Sequence, residues 1–309
     1  MVKLWEHYHL PATSDEAIEL LTRYAGRARV IGGGTDLLVD LRAAVTDPAK
    51  AGAHFSQDAL IDVTRIPEMT RLIDFDEMIA IGGGVTHTRI VQSPLIRQYA
   101  TCLVESCGVV GGPQVRNVAT LGGNVAHALP AGDGTTSLVA LDAEVEIIKD
   151  GVRQWVSILE MFVGTGKSLI DPTRDLLVSF RFRKTAPGEA TAFNRIMRPQ
   201  GVALPIMGCA VWIKLNTDRT HYEAARIVLA PVAPTPVRAG AVEAALIGEP
   251  VGDGAITRAI EAAHETIHPR TSKYRATAEY RDEMIDVLLR RTLNAAQARV
   301  GVDTPSVQV

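Results

Sequence analysis

The sequence has little cysteine, no excess of basic charge and no long apolar run. Its three cysteines form no CxxC pair and are too scattered for a disulfide framework. The formal net charge is −3 and no run of basic residues occurs, so nothing favours binding to nucleic acid. Apolar stretches such as 206–213 are far shorter than the roughly 20 residues of a membrane helix, and the N-terminus has no apolar signal core. These absences predict a cytoplasmic protein with neither a membrane span nor a nucleic-acid partner.

Local patterns predict helices and strands in both halves of the chain, whose 309 residues, 47% of them hydrophobic, suffice for a large core. The segment "TSDEAIELLTRYAG" predicts a helix, because Thr13 and Glu16 have capping-box spacing and Gly26 can end it. The segments "RARVI", "ALIDVTRI" and "MIAIGGG" predict short strands, with helical patterns over 86–107 and a strand at "AEVEII". In the second half, "TAFNRIM", "MGCAVWIKL" and "ARIVLA" follow each other closely, as in an antiparallel sheet. Two helical patterns follow them, "GAITRAIEAAHETI" and "SKYRATAEYRDEMIDVLLRRTLNAAQARV".

The segment "GTGKS" at 164–168 imitates the end of a phosphate-binding P-loop. The first glycine of that motif would fall at Met161, so the segment predicts only a turn before a strand at 176–182. No GxGxxG motif opens a strand-to-helix turn, because "GGGTDL" has leucine and "GGGVTH" has histidine in the sixth place. This argues against a Rossmann fold.

The segment "HETIH" at 264–268 matches the zinc-protease pattern, with His264 and His268 four residues apart on one helix face. Pro269 follows at once and removes the helical continuation that would hold the second ligand. The alternative is a histidine at the C-terminal end of an amphipathic helix, near the negative end of the helix dipole. We therefore predict no metal site in this chain.

Two separated loops, "IGGGTDLL" and "ATLGGNVAHALPAGDG", combine adjacent glycines with hydroxyl or amide side chains. Glycine tolerates positive φ and leaves backbone N–H groups open to an anion, while Thr35, Thr120 and Asn124 can add side-chain donors. Either loop alone could be only a tight turn. Together the two loops suit a diphosphate.

Four motifs occur in a fixed order: "IGGGTDLLVDLR", "VRNVATLGGNVAHALPAGDGTTSLVALDAEVEI", "FNRIMRPQGVALPIMGCAVWIKL" and "ATAEYRDEMIDVLLRRTL". In this order they resemble the FAD-binding subunit of the molybdenum hydroxylases, the medium-subunit family of xanthine dehydrogenase and carbon monoxide dehydrogenase. The resemblance covers nearly the whole chain. It implies an α+β fold, in which a two-part FAD-binding domain of the vanillyl-alcohol-oxidase type precedes a smaller C-terminal domain with a three-stranded antiparallel sheet and helices.

Turn chemistry in "DPTRD" predicts a domain boundary near 172–178. Residues 301–309 are expected to form a frayed tail. Combined with the resemblance, these signals imply an FAD-binding domain over 1–175, with subdomains of about 1–55 and 56–175, and a C-terminal domain over 176–300.

The resemblance implies that FAD binds through the two glycine loops. The first loop would wrap the diphosphate and adenosine, and the second would complete the site with a polar contact from Asp133. Leu177 and Arg195 match positions near the flavin end, and the family usually has lysine at the latter. Leu177 could instead be a core residue, and Arg195 could form a surface ion pair. The implied cofactor-binding residues are Val30, Ile31, Gly32, Gly33, Gly34, Thr35, Asp36, Leu37, Thr120, Leu121, Gly122, Gly123, Asn124, Asp133, Leu177 and Arg195.

The resemblance further implies an electron-transfer subunit of a multi-subunit oxidoreductase. Its FAD would exchange electrons with [2Fe-2S] clusters in a small iron–sulfur subunit, while a large molybdopterin-binding subunit transforms the organic substrate. A dimer of such heterotrimers is one assembly that the resemblance allows. Because the flavin does the chemistry, we assign no catalytic residue to this chain. The substrate, the direction of electron flow and the acceptor, whether NAD, quinone, ferredoxin or oxygen, are left open.

Cysteine placement bears on iron–sulfur chemistry. A 4-hydroxybenzoyl-CoA reductase relative carries a four-cysteine cluster loop after the second glycine motif, whereas this chain has no cysteine between Asn124 and Asp133. We therefore predict no cluster here, and we expect Cys102 and Cys107 to be packed thiols on a helix.

Two alternatives compete with the electron-transfer hypothesis. A self-sufficient flavin reductase of MurB type would share the N-terminal domain, but it needs a proton donor facing the flavin, and no serine or glutamate announces that role. A flavin-free scaffold would have no reason to keep donors such as Thr35, Thr120 and Asn124 at both loops.

Overall fold

The computed structural model describes residues 3–46, 57–198, 204–273 and 275–301; the predicted boundary at 55/56 and positions 302–309 of the predicted tail lie outside these ranges. The strands are β1 (His7–His9), β2 (Ala28–Ile31), β3 (Ala59–Asp62), β4 (Leu72–Phe75), β5 (Met78–Gly82), β6 (Glu144–Lys149), β7 (Val152–Ser157), β8 (Phe162–Gly164), β9 (Lys167–Ser168), β10 (Leu176–Arg183), β11 (Glu189–Met197), β12 (Pro205–Leu215), β13 (Tyr222–Ala230) and β14 (Val237–Arg238). The helices are α1 (Ser14–Tyr24), α2 (Leu37–Thr46), α3 (His87–Gln92), α4 (Pro94–Tyr99), α5 (Thr101–Gly108), α6 (Pro113–Arg116), α7 (Leu121–Ala126), α8 (Asp133–Ala140), α9 (Gly240–Leu246), α10 (Asp253–Thr266) and α11 (Ala278–Val300). Within the described ranges, no helix has the length and apolar character needed to cross a membrane.

A parallel three-stranded sheet forms the N-terminal part, in the order β1, β3, β2. Helix α1 begins as its sequence predicts, because the Thr13 hydroxyl accepts a hydrogen bond from the Glu16 backbone N–H at 3.1 Å. The Glu16 carboxylate accepts from the backbone N–H of Ala12 instead of Thr13, so the reciprocal half of the capping box is shifted by one residue. Buried Leu20 and Leu21 then pack the helix against the sheet.

The second sheet is antiparallel and five-stranded, in the order β4, β5, β10, β6, β7. Its inner face carries the buried side chains of Ile81, Val145 and Phe180, which join one core with α3, α4, α5, α7 and α8. The sequence placed the domain boundary directly before β10, at 175/176, but the hydrogen bonds of this strand place it in the centre of the second sheet. The turn in "DPTRD" therefore leads into another strand of the same sheet, and the chain passes to the next sheet only over 184–188.

The third sheet is also antiparallel, has the order β11, β12, β13, β14 and forms the C-terminal part. The three long strands confirm the prediction, and the two-residue β14 adds a short edge strand. Helices α10 and α11 cover one face, where Ile256 and Leu289 share a core with Ile227. Both helices were predicted, although α11 begins at Ala278, several residues later than the pattern suggested, with Thr277 as its N-cap.

Helix α5 joins the two halves of the chain. Its Cys102 and Cys107 are fully buried, which confirms them as packed thiols. Glu105 on the same helix accepts the backbone N–H of Phe193 at 2.8 Å and pairs with Arg299 of α11. The Glu105 carboxylate therefore connects the helices that pack on the second sheet to β11 and α11 of the C-terminal part.

The two segments that resemble known motifs, "GTGKS" and "HETIH", have structural roles. The "GTGKS" segment forms the predicted turn, between β8 and β9, with Gly166 at a φ of 66°. His264 lies in the last turn of α10, with Nε2 2.5 Å from Asp286 and Nδ1 3.1 Å from Asp282, both on α11. Each ring nitrogen of this histidine therefore faces a carboxylate of the neighbouring helix.

These contacts predict a pH-dependent contribution of His264 to stability. Burial lowers the pKa of His264, but hydrogen bonds to Asp286 and Asp282 raise it above its ordinary value overall. Because the folded-state pKa is the higher one, the stabilisation is complete below pH ~6.5 and is lost as pH rises through the folded-state value. We expect His264→Gln to lower the free energy of unfolding at pH 6 by at most ~1 kcal/mol, since the pairs are partly exposed. Urea unfolding at pH 6 and pH 9 checks this, and an equal loss at both pH values would contradict it.

Candidate cofactor site

A cavity of about 420 Å³ opens where the three sheets meet. Every site residue that the sequence predicted lines this cavity except Leu121, which is fully buried in the core beneath it. The predicted residues on the wall are Val30, Ile31, Gly32, Gly33, Gly34, Thr35, Asp36, Leu37, Thr120, Gly122, Gly123, Asn124, Asp133, Leu177 and Arg195. The structure thus brings together segments that are far apart in the sequence, and their individual roles toward a cofactor stay predictions.

The glycine loops pack directly against neighbouring backbone. A Cβ on Gly33 would lie 2.1 Å from the backbone oxygen of Val118 and 2.7 Å from the Cα of Ala119. A Cβ on Gly122 would lie 2.5 Å from the backbone oxygen of Gly83, to which Gly122 donates its N–H at 2.9 Å. No side chain fits at such distances, so at these two positions it is the protein's own backbone, and not a diphosphate, that requires glycine.

Positive φ was the other expected reason for glycine in these loops. Among the loop glycines at 32–34, 122 and 123, all of which the structure describes, only Gly34 adopts it, with a φ of 68°. The Gly34 carbonyl then accepts the Leu38 N–H at 3.0 Å as helix α2 begins. Gly34 therefore turns the chain from β2 into α2, with Thr35 and Asp36 at the cavity.

Two polar side chains of the second loop are partly committed to the fold. The Thr120 hydroxyl caps α7 by accepting the Gly123 N–H at 3.0 Å, which leaves its own hydrogen to donate. The Asn124 side-chain oxygen accepts both the N–H and the hydroxyl of Thr135, each at 3.2 Å. Thr120 and Asn124 can therefore still offer hydrogen-bond donors to a ligand, namely the hydroxyl hydrogen of Thr120 and the side-chain NH₂ group of Asn124.

A buried ion pair lies on the cavity wall between the second and third sheets. Arg195 Nη1 donates to Asp133 Oδ2 at 2.5 Å, and each side chain is only 7% exposed. Burial raises the pKa of Asp133 to about 6, although the Arg195 and Arg275 guanidiniums act in the opposite direction. The alternative of a surface ion pair for Arg195 is right about the pairing and wrong about the exposure, because β11 faces the start of α8. Leu177 is both a core residue and part of the wall.

Sequence reasoning missed His87, which the structure places on the wall almost fully buried. Its backbone N–H donates to the Ala119 carbonyl at 3.1 Å, which holds α3 beside the second glycine loop. Burial, and then the charge of Arg116, lower the pKa of His87 to about 4, so the ring is neutral at pH 7. A signal was present, because "IGGGVTH" repeats the glycine–threonine design of "IGGGTDL".

The part of the wall beyond the first loop was also missed. It includes Arg29 and Asp175. Burial lowers the pKa of Arg29, and the carboxylates of Asp40 and Asp171 oppose this. The fully buried Asp175 carboxylate accepts the backbone N–H of Asp171 at 2.9 Å, which fixes the turn before β10. No pattern in the sequence marks Arg29 as a wall residue, and the turn signal in "DPTRD" marks Asp175 only as part of a turn.

The residues present fit FAD. Among the described residues, the buried side-chain polar atoms that lack a hydrogen-bond partner include two on this wall, Nδ1 of His87 and Nε of Arg195. Buried polar atoms are nearly always satisfied, so two such atoms at one cavity indicate a ligand. The cavity volume is typical of small-molecule sites. Its remaining donors, including Thr120, Asn124 and Arg275, suit a ligand rich in acceptors, as a dinucleotide is.

The backbone contact at Gly33 predicts the effect of the smallest side chain. We expect Gly33→Ala to lower the free energy of unfolding by ~1–3 kcal/mol and to weaken FAD uptake, because the new Cβ would push the first loop away from Val118. The matched control is Gly240→Ala, because a Cβ there meets nothing within 4 Å. Thermal unfolding and flavin titration measure both effects, and a Gly33→Ala protein as stable as the control would show that the loops do not depend on this contact.

Comparison with known proteins gives a consistent result. The sequence profile described as "FAD binding domain in molybdopterin dehydrogenase" matches residues 3–182, and "CO dehydrogenase flavoprotein C-terminal domain" matches 191–296. The carbon monoxide dehydrogenase medium chain of Hydrogenophaga pseudoflava is 28% identical over 292 residues, covering 94% of this chain and 97% of that relative. The xanthine dehydrogenase FAD-binding subunit of Escherichia coli O157:H7 is 27% identical over 301 residues, covering 95% and 97%.

A solved structure agrees in fold over the same length. Carbon monoxide dehydrogenase from Hydrogenophaga pseudoflava, in a form that lacks the Mo-pyranopterin moiety, superposes with a TM-score of 0.85 at 29% identity, covering 97% of this chain and 99% of that one. The interval between the two profile matches coincides with the passage from the second sheet to the third. The chain therefore belongs to the FAD-binding family of the molybdopterin dehydrogenases and is a medium, FAD-binding oxidoreductase subunit of molybdenum hydroxylase type.

Proposed function

We propose that this chain holds FAD in the cavity between the two glycine loops and acts as an electron relay. It would link iron–sulfur clusters of a small partner subunit to an external acceptor or donor, while a large molybdopterin-binding subunit carries out the organic reaction. The observation that carries the proposal is the convergence of both glycine loops on one cavity. Its wall includes buried polar atoms of His87 and Arg195 that have no hydrogen-bond partner in the described part of the chain.

The first loop and the start of α2, residues 30–37, would hold the diphosphate and adenosine. The second loop would contribute the donors of Thr120 and Asn124, and Asp133, Leu177 and Arg195 would lie toward the flavin. When bound, FAD supplies the electron-carrying chemistry, and the protein supplies binding, orientation and electrostatics. Buried wall residues such as Leu177 exclude water from the cofactor.

The relay is favoured over a self-sufficient reductase of MurB type. Such a reductase needs an acid that is free to protonate its substrate at the flavin. The carboxylate at the Arg195 side of the cavity, Asp133, is instead engaged in a buried ion pair. A flavin-free scaffold is disfavoured because a scaffold gains nothing from unsatisfied buried polar atoms at a cavity.

We further propose that the organic substrate is chosen by the large subunit. Relatives named for carbon monoxide and for xanthine match this chain almost equally, at 28% and 27% identity. We place the complex in the cytoplasm, because three buried cysteines without disulfide bonds suit a reducing compartment. We propose a dimer of heterotrimers as its assembly.

The cofactor can be identified directly. We expect the purified chain to be yellow and to release equimolar FAD, not FMN, on heat denaturation, because two separated loops suit a diphosphate and a monophosphate needs only one. Chromatography of the released flavin makes the measurement. FMN in place of FAD, or colourless protein that takes up no added FAD, would contradict the cofactor assignment.

The relay is tested by reconstitution. We expect the flavin to be reduced only when this chain is assembled with an iron–sulfur and a molybdopterin subunit from the same host and their substrate is added. Stopped-flow absorbance follows the reduction, and the FAD-loaded chain alone is the control. Reduction of the isolated chain by the organic substrate would reject the relay in favour of a self-sufficient reductase.

A further inference from the structure

We propose that the Asp133–Arg195 pair, together with Arg275, is an electrostatic device that sets the reduction potential of the bound flavin. The inference rests on the proposed FAD site and adds a role to it. In this role Arg195 raises the potential, Asp133 restrains the rise, and the balance between them decides how readily this chain accepts electrons.

The first observation is that the pair is buried on the cavity wall and incompletely satisfied. Arg195 comes from β11 and Asp133 from the first turn of α8, so two parts of the fold meet at this contact. Among the residues that the structure describes, Asp133 is the one strong acceptor that engages the guanidinium, since Nη2 contacts the weakly accepting sulfur of Met197 at 3.0 Å. Its buried Nε has no hydrogen-bond partner among the described residues. Arg195 therefore keeps donor capacity for an acceptor group in the cavity.

The second observation is the charge balance. Arg275 also lines the cavity, and its guanidinium acts on Asp133 together with that of Arg195. One carboxylate thus faces two guanidiniums, which leaves a net positive charge on this part of the wall. Cys107 also lies within electrostatic range of Asp133, but burial raises the pKa of its thiol far above neutrality, so it adds no charge.

The third step is physical. A net positive charge in a water-poor cavity stabilises the state of a ligand that carries more electrons, because the Coulomb interaction is only weakly screened there. For a flavin, charge near the ring is among the means by which a protein tunes its electronics. Removing the arginine charge should therefore disfavour the reduced flavin, and removing the aspartate charge should favour it.

The test is the midpoint potential of the FAD-loaded full chain, measured by spectroelectrochemical titration. For Arg195→Met we expect a lower potential, with a roughly tenfold change in the ratio of affinities for reduced and oxidised flavin, equivalent to ~30 mV for a two-electron couple. For Asp133→Asn we expect a higher potential, and Arg195→Lys should restore most of the wild-type value. The matched control is Arg183→Met, which removes an arginine paired with Glu189 away from the cavity.

The opposite signs for the two variants distinguish charge tuning from a structural role. Shifts of Arg195→Met and Asp133→Asn in the same direction, or shifts no larger than that of Arg183→Met, would overturn the inference. If Arg195→Met retains no flavin, Asp133→Asn and Arg195→Lys decide it, and a potential of Asp133→Asn at or below the wild-type value overturns it. Wild-type chain that binds no FAD would instead reject the proposed function itself, so the two failures are distinguishable.

Discussion

The cofactor cavity depends on one packing constraint, which is that backbone segments from three places in the chain touch where any side chain would separate them. Gly33 lies against the backbone of Val118 and Ala119, and Gly122 lies against that of Gly83. A flexible side chain can move away from a new neighbour, whereas a backbone fixed in a sheet or a helix cannot do so without cost. These contacts therefore set how the first sheet, the second sheet and the helical layer meet, and the cavity is the space that they leave.

The buried Asp133–Arg195 pair is a different kind of constraint. Removing two charges from water often costs more than their attraction returns, so such a pair is weak grounds for stability. The role that we propose for it toward a ligand rests on its place on the cavity wall, where the Nε of Arg195 has no hydrogen-bond partner among the described residues. The C-terminal part contributes to the wall of the cavity, because Arg195, Pro205 and Arg275 all come from it.

The contacts between the halves explain how such a site keeps its geometry. Glu105 connects α5 to β11 and α11, and β11 carries Arg195. Strand β11, at the edge of the third sheet, thus places Arg195 against α8, which packs on the second sheet. A protein that binds and orients a redox cofactor depends on this rigidity more than on any single reactive group.

Interactions between near neighbours could be predicted from the sequence alone, such as the Thr13 cap of α1, the short strands before the glycines and the three long strands of the last sheet. The resemblance to a known family added a set of site residues, all of which line the cavity except Leu121, but it did not include His87, Arg29 or Asp175. The tertiary structure decided what depends on distant partners. It placed β10 between β5 and β6, past the predicted boundary, because hydrogen-bonding partners in a sheet are chosen by the whole chain. It also showed that Gly33 and Gly122 accommodate protein backbone and that Arg195 is buried, since a glycine or an arginine in a sequence does not specify which distant segment will lie against it.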